Sequence, residues 1–184
     1  MDVKICIIEV AQEIIQKEGF DAFSFRDLAK KVGVKSSSVH YHFPKKEDLI
    51  QELTKKYFLD FEQTLTEISS RNLTGKEKIL ALGDVFLTSS KSEKFCFCGM
   101  MSAFSSRVDE ESLTLAELFF KMIEDWIYNI LNNDIKIMNN KSELKPRDLA
   151  RSLISILEGG LLMDHLRGTK SFLRSSLKLI NYML

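Results

Sequence analysis

Residues 24–49 read Ser24-Phe25-Arg26-Asp27-Leu28-Ala29-Lys30-Lys31-Val32-Gly33-Val34-Lys35-Ser36-Ser37-Ser38-Val39-His40-Tyr41-His42-Phe43-Pro44-Lys45-Lys46-Glu47-Asp48-Leu49. Ser24 with Asp27 three residues later is a helix N-terminal signature, and Leu28, Ala29 and Val32 supply the apolar stripe of a short helix. Gly33 stands where the chain must turn sharply, which glycine does at positive φ without strain. Ser36 is expected to cap the next short helix, which ends near His42 because Pro44 cannot continue it. From Ala22 to Lys46 there are six basic side chains and one acid, Asp27. A tight helical pair with a local basic face docks on a DNA backbone and offers one helix to the major groove.

The surroundings of this stretch are ordinary. The chain has 184 residues and no net charge, so support for nucleic-acid binding is local and not global. Residues 1–50 also balance, because Asp2, Glu9, Glu13, Glu18, Asp21, Glu47 and Asp48 flank the basic run. With 45% hydrophobic and 28% charged residues, the composition is that of a soluble globular protein. Asp2, Lys4 and Glu9 interrupt the N-terminal apolar residues in a helical pattern, which is not a secretory signal. No window approaches 18 uncharged apolar residues, so no membrane span is expected. Three cysteines form no disulfide framework, and a cytoplasmic location is expected.

Helical spacing runs through the whole chain, and no strand-like alternation appears. A first helix is expected over about 2–18, closed by Gly19, with Phe20 and Phe23 as plugs behind it. A long fourth helix starts at Lys46 and carries Leu49, Ile50, Leu53, Tyr57, Phe61, Leu65 and Ile68. Thr74 and Glu77 form a capping box for a helix near 75–90. A short element follows Cys98 to about Arg107, and Asp109 opens an apolar helix reaching Leu131. Residues 132–143 are polar and turn-rich, a loop. Pro146 opens a helix to about Leu166, Gly168 ends it, and 170–184 forms the last one.

Gly19-Phe20, Ser24 to Ala29, Val32-Gly33-Val34, Tyr41-His42-Phe43, Lys46 and Leu49 together resemble the tetracycline-repressor (TetR-type) family of bacterial transcription regulators. The resemblance covers the first third of the chain. It implies an all-α fold: a three-helix helix-turn-helix DNA-binding domain at 1–48, with its motif at about 24–43, then a larger helical ligand-binding and dimerisation domain at 49–184. It further implies a homodimer through the last two helices, an unknown small-molecule ligand, double-stranded operator DNA as partner, and no enzyme activity. Leu149, Leu153, Ile156, Leu157, Gly160, Leu161 and Leu177 are the expected dimer seam, with Gly159-Gly160 allowing close helix approach.

The expected DNA-facing residues are Ser24, Arg26, Lys35, Ser36, Ser37, Ser38, His40, Tyr41, His42 and Lys46. The serines start the reading helix, where short hydroxyls meet phosphates or base edges. The helix holds neither arginine nor asparagine, so strong bidentate base contacts are missing and Lys35 is the principal reader. His40 stands where the family often has tyrosine. Tyr41 is assigned to phosphate and His42 to the helix-four junction. Lys46 begins the fourth helix, where its N–H and its ammonium can both reach a phosphate.

In the second domain Phe86, Met100, Phe104, Phe119, Met122 and Trp126 belong to a dense aromatic and methionine set. Most of that set is core, and the family resemblance implies an apolar ligand cavity lined by some of it. Cys96-Phe97-Cys98 is the competing signal, a thiol pair suited to binding a soft metal, to sensing oxidants in a redox-sensing regulator, or to serving an enzyme. No nucleophile–base set accompanies it. A helical interaction module with a merely solvated basic face is the third alternative. No metal site is expected, since His40 and His42 lack partners at ligand spacing, and no cofactor is expected.

Overall fold

The computed structural model describes residues 2–133 and 144–184. Among them the chain forms α1 (Val3–Glu18), α2 (Phe25–Val32), α3 (Ser36–His42), α4 (Lys46–Ser70), α5 (Gly75–Lys91), α6 (Phe97–Ala103), α7 (Glu110–Asn133), α8 (Pro146–Arg167) and α9 (Ser171–Met183). A 3₁₀ turn at Ser105–Arg107 joins α6 to α7, and no strand occurs among the described residues. The expected loop at 132–143 yields Asn132 and Asn133 to α7, and its remaining residues lie outside those described.

Two compact units emerge from the packing. The first is Met1–Leu59 with Cys96–Glu117; the second is Asp60–Phe95 with Leu118–Leu184. In the first, Ile7, Ala11 and Ile15 of α1, Leu28 of α2, Val39 of α3, and Leu49 and Leu53 of α4 are all fully buried. They share that core with Phe97 and Met101 of α6. Phe20 bridges the two sets, its ring 5.7 Å from Phe97 and 6.3 Å from Phe104, spacings at which tilted aromatic pairs attract beyond their area burial. Arg107 pairs with Asp21, and Lys55 with Glu111 at 3.1 Å.

Asp109 ties the start of α7 to α4. Its carboxylate accepts from the Ser112 N–H (3.0 Å), the Ser112 hydroxyl (2.7 Å) and the Gln51 carboxamide (2.9 Å). Partial burial works to raise this carboxyl, but the bonds from Gln51 and Ser112 outweigh it and hold the group below its usual range. A depressed carboxylate stabilises the fold above its unfolded value of about 4 and loses that contribution as pH falls through the lower folded value. We predict that Asp109→Asn costs about 1 kcal/mol at neutral pH. Acid titration of wild type and variant should bring their stabilities together, and a gap that stays constant into strong acid would contradict the assignment.

In the second unit Ile79 and Leu82 of α5, Phe119, Ile123 and Ile127 of α7, Leu153 and Leu157 of α8, and Leu173 and Ile180 of α9 form the core. Gly160 sets the α8–α9 spacing: a Cβ there would stand 2.9 Å from Ser176 Oγ and 3.1 Å from Leu173 Cδ2. That observation corrects the expected dimer seam. Leu149, Leu153, Leu157, Gly160 and Leu161 are consumed inside the protomer, while the neighbouring Leu162 and Leu166 are 56% and 73% exposed. Periodicity identifies apolar faces, and α8 has more than one; which of them the chain covers itself depends on α5 and α9.

Lys170 precedes α9 and gives it no side-chain cap. Asp164 of α8, only 1% exposed, does so instead: its carboxylate accepts from the N–H groups of Phe172 (2.8 Å) and Leu173 (3.0 Å) and from the Thr169 hydroxyl (3.1 Å). His165 faces elsewhere, its ring 3.7 Å from that of Phe95.

Candidate nucleic-acid interface

The candidate interface is built from α2, the turn at Gly33, α3 and the start of α4. Ser24 and Asp27 close the expected capping box: Asp27 N–H donates to Ser24 Oγ (3.2 Å), and Ser24 N–H to Asp27 Oδ2 (3.0 Å). The Ser24 hydroxyl also donates to Asp27 Oδ2 at 2.6 Å. That bond first, and the Ser24 N–H second, hold the Asp27 carboxyl below its usual range. Ser24 is thus committed to ordering α2, and the exposed side chain beside it is Arg26.

Gly33 takes φ 79°, ψ 29°, and both its own N–H and that of Val34 return to Ala29 O at 2.9 Å. A β-carbon would be strained at this φ, so glycine is what lets α3 leave α2 in so short a turn. Ser36 is the first residue of α3 and not its cap. Lys35 occupies the cap position with extended backbone and no side-chain bond, and its carbonyl accepts from Ser38 N–H at 2.9 Å. The main-chain turn therefore starts the helix, and the hydroxyls of Ser36, Ser37 and Ser38 bond to no other described group.

One side of α3 is anchored and the other is presented. Val39 and Phe43 are fully buried, and His42 is half-buried, its ring 5.2 Å from Tyr41 and 6.4 Å from Phe43. Tyr41 is 83% exposed, Ser37 is exposed, and His40 lies on the surface with its ring edge-on to Phe25 at 4.9 Å. Arg26, Lys35 and Lys45 are exposed and form no ion pair among the described residues. Lys45, the cation that follows Pro44, stands on the surface, and only its N–H is engaged, with Asp48 Oδ2 at 2.9 Å.

Lys46 differs from its expected disposition. Its ammonium donates inward to Phe20 O (2.7 Å) and Phe23 O (3.3 Å) and lies 4.4 Å from the centroid of the Phe23 ring. It pins the start of α4 to the α1–α2 connection. No sequence pattern announces this, because the acceptors are main-chain carbonyls more than twenty residues earlier.

The six residues expected around a ligand divide between the units. Met100 and Phe104 belong to the first, and Phe86, Phe119, Met122 and Trp126 to the second. Phe86 and Phe119 are buried core, with the Phe119 ring 4.9 Å from Phe61 and 5.3 Å from Phe120. The second unit also holds an open depression of about 320 Å³, lined by Ser69, Gly75, Lys78, Trp126, Asn129, Ile130 and Asn133. Of the six, only Trp126 lines it. Cys98 is fully buried, and Cys96 caps α6, its Sγ accepting from Gly99 N–H at 3.4 Å and lying 3.9 Å from the Tyr57 hydroxyl.

Comparison with known proteins places these features among transcription regulators. Residues 7–53 match the family described as bacterial regulatory proteins, tetR family. The crystal structure of a TetR transcriptional regulator from Legionella pneumophila superimposes with a TM-score of 0.90 at 33% identity, covering 100% of this chain and 98% of that one. An uncharacterised HTH-type transcriptional regulator of Bacillus subtilis, YvdT, is 23% identical over 157 residues, 83% of this chain and 77% of the relative. The HTH-type transcriptional repressor KstR2 of Rhodococcus jostii is 26% identical over 76 residues, 41% of this chain and 37% of its own length.

Proposed function

The chain belongs to the TetR family of bacterial transcription regulators, and from that premise we propose a cytoplasmic homodimeric repressor that leaves a palindromic operator when a small apolar or amphipathic ligand binds. The observation that carries the reading is the two-sided character of α3. Val39 and Phe43 lock it to the core, while Ser37, His40 and Tyr41 stand outward beside unpaired cations. A helix held this rigidly needs no ordering when it enters a groove.

In this reading residues 1–48 are the DNA-reading part and 49–184 the ligand-binding and dimerisation part. Arg26, Lys35 and Tyr41 meet phosphates, the hydroxyls of Ser36, Ser37 and Ser38 take short or water-bridged contacts to phosphates and base edges, and His40 lies at the rim. Ser24 and His42 act mainly by holding α2 and α3 in place. With no arginine on α3, specificity leans on DNA shape as well as base contacts. The ligand enters among the helices of residues 49–184, and of the expected lining Trp126, which borders the depression of the second unit, is its proposed contact. Its binding shifts the spacing of the two reading heads; by linkage, operator DNA weakens ligand binding by the same factor. The repressor sign follows relatives such as KstR2, which is named a repressor. No helix among the described residues is long and apolar enough to cross a membrane.

A salt series in a mobility-shift assay on the gene's own upstream DNA tests this. Affinity should fall roughly a hundred- to a thousandfold from low to physiological salt, as counterion release requires. Absence of binding at low salt, or a flat salt dependence, would sink the regulator reading.

The same assay separates two roles for Lys46. Its backbone N–H at the start of α4 remains a proposed phosphate donor, whereas its ammonium is spent on Phe20 and Phe23. Lys46→Met should therefore weaken binding to all sequences alike and leave the salt slope unchanged. A slope smaller by about 1 per protomer would put the ammonium on a phosphate.

A further inference from the structure

We propose that the depression in the second unit is a binding site for a small aromatic carboxylate. Its volume of about 320 Å³ is at the lower end of the roughly 300–1,000 Å³ range of small-molecule sites. Trp126, Asn129, Ile130 and Asn133 line it from a single face of α7, since residues three, four and seven apart on a helix lie together. The Trp126 N–H is already spent on Ser69 Oγ at 2.8 Å. An indole has no other polar group, so Trp126, with Ile130 one turn on, offers apolar ring surface.

The polar groups around that surface are of one kind. Lys78 is the only formally charged residue of the lining. Its neighbour in sequence, Glu77, is committed to the N–H and hydroxyl of Thr74, both at 2.8 Å, so the acid does not neutralise the ammonium. Neither the Lys78 ammonium nor the carboxamides of Asn129 and Asn133 bond to another described residue. The site thus holds one unopposed positive charge, two amides able to donate, and an aromatic wall. The dipole of α5, which begins at Gly75 on the same rim, acts in the same sense. One cation matches a monoanion, the ring matches an aromatic body, and the amides take the carboxylate oxygens. The proposal deepens the regulatory reading by naming a ligand class, yet its test needs no DNA.

Trp126 is the chain's only tryptophan, so intrinsic tryptophan fluorescence reports this site alone. Phenylacetate titrated into the intact protein should give a saturable change in emission. Phenylacetamide, which keeps the shape and removes the charge, should bind at least tenfold more weakly, and so should phenylacetate to Lys78→Met. Lys78 is half-buried and bonds to no other described residue, and circular dichroism of the variant verifies its fold. No saturable change up to millimolar phenylacetate, or equal affinity for the amide, or equal affinity of the variant, overturns the site. None of these outcomes touches operator binding, which fails or stands by the salt series.

Discussion

Replacing Asp164 with alanine should lower the stability of the protein by about 3 kcal/mol, the cost of losing the cap of α9, of stranding the buried Leu173 N–H, and of removing the acceptor of the Phe172 N–H and the Thr169 hydroxyl. In a chain of this length that loss corresponds to a thermal midpoint lower by roughly 10 °C. The reason is the sequence around Lys170. Most helices bring their own cap, and α9 begins Lys170-Ser171-Phe172-Leu173 with no side chain accepting from its first turn. The buried Asp164 of α8 reaches across the Gly168 turn and accepts from Phe172 and Leu173, with Thr169 as a third donor. Asp164→Asn keeps one carbonyl acceptor and should lose about half as much. Thermal or urea unfolding with both variants decides the matter, and an alanine variant as stable as wild type would falsify the capping role.

Much of the molecule was legible because local rules act over four residues or fewer. Ser24 with Asp27 and Thr74 with Glu77 form capping boxes where their spacing put them. Pro146 starts α8, and Gly33 and Gly168 take left-handed backbone at the ends of α2 and α8. What escaped has long-range causes. Lys46 turns inward to carbonyls contributed by the α1–α2 connection. Asp164 shows in the sequence only as a carboxylate beside a histidine, and its partners are N–H groups eight and nine residues on. Ser36 lost the cap position because any residue can take the extended backbone that starts α3, and Lys35 does. The apolar residues of α8 were visible as apolar, yet their division between core and surface depended on where α9 settles against Gly160.

That division makes the proposed dimer testable with one variant. Leu162 and Leu166 are a helical turn apart on the exposed face of α8, and Gly159, three residues before Leu162, has nothing within 4 Å of a built Cβ. Phe172, Leu179 and Tyr182 add exposed apolar surface on α9. An apolar stripe of this kind with an open glycine is a surface two copies can share about a two-fold axis, each covering the other. A carboxylate at both leucine positions would face its own symmetry mate across a dry contact, where unpaired charge is costly. Neither side chain contributes to the protomer's core, so the fold itself should persist, with helical circular dichroism retained. Leu162→Asp combined with Leu166→Asp should therefore be monomeric in sedimentation. Operator affinity should drop at least about a hundredfold, because a lone reading head loses the second half-site and with it the high effective concentration that dimerisation provides. Fusing the variant to a heterologous dimeric coiled coil through a flexible linker should recover part of that affinity, since it restores proximity without restoring the helical contact. A double-aspartate protein that stays dimeric would remove this face from the interface, and a monomer with undiminished operator affinity would remove the two-headed mechanism.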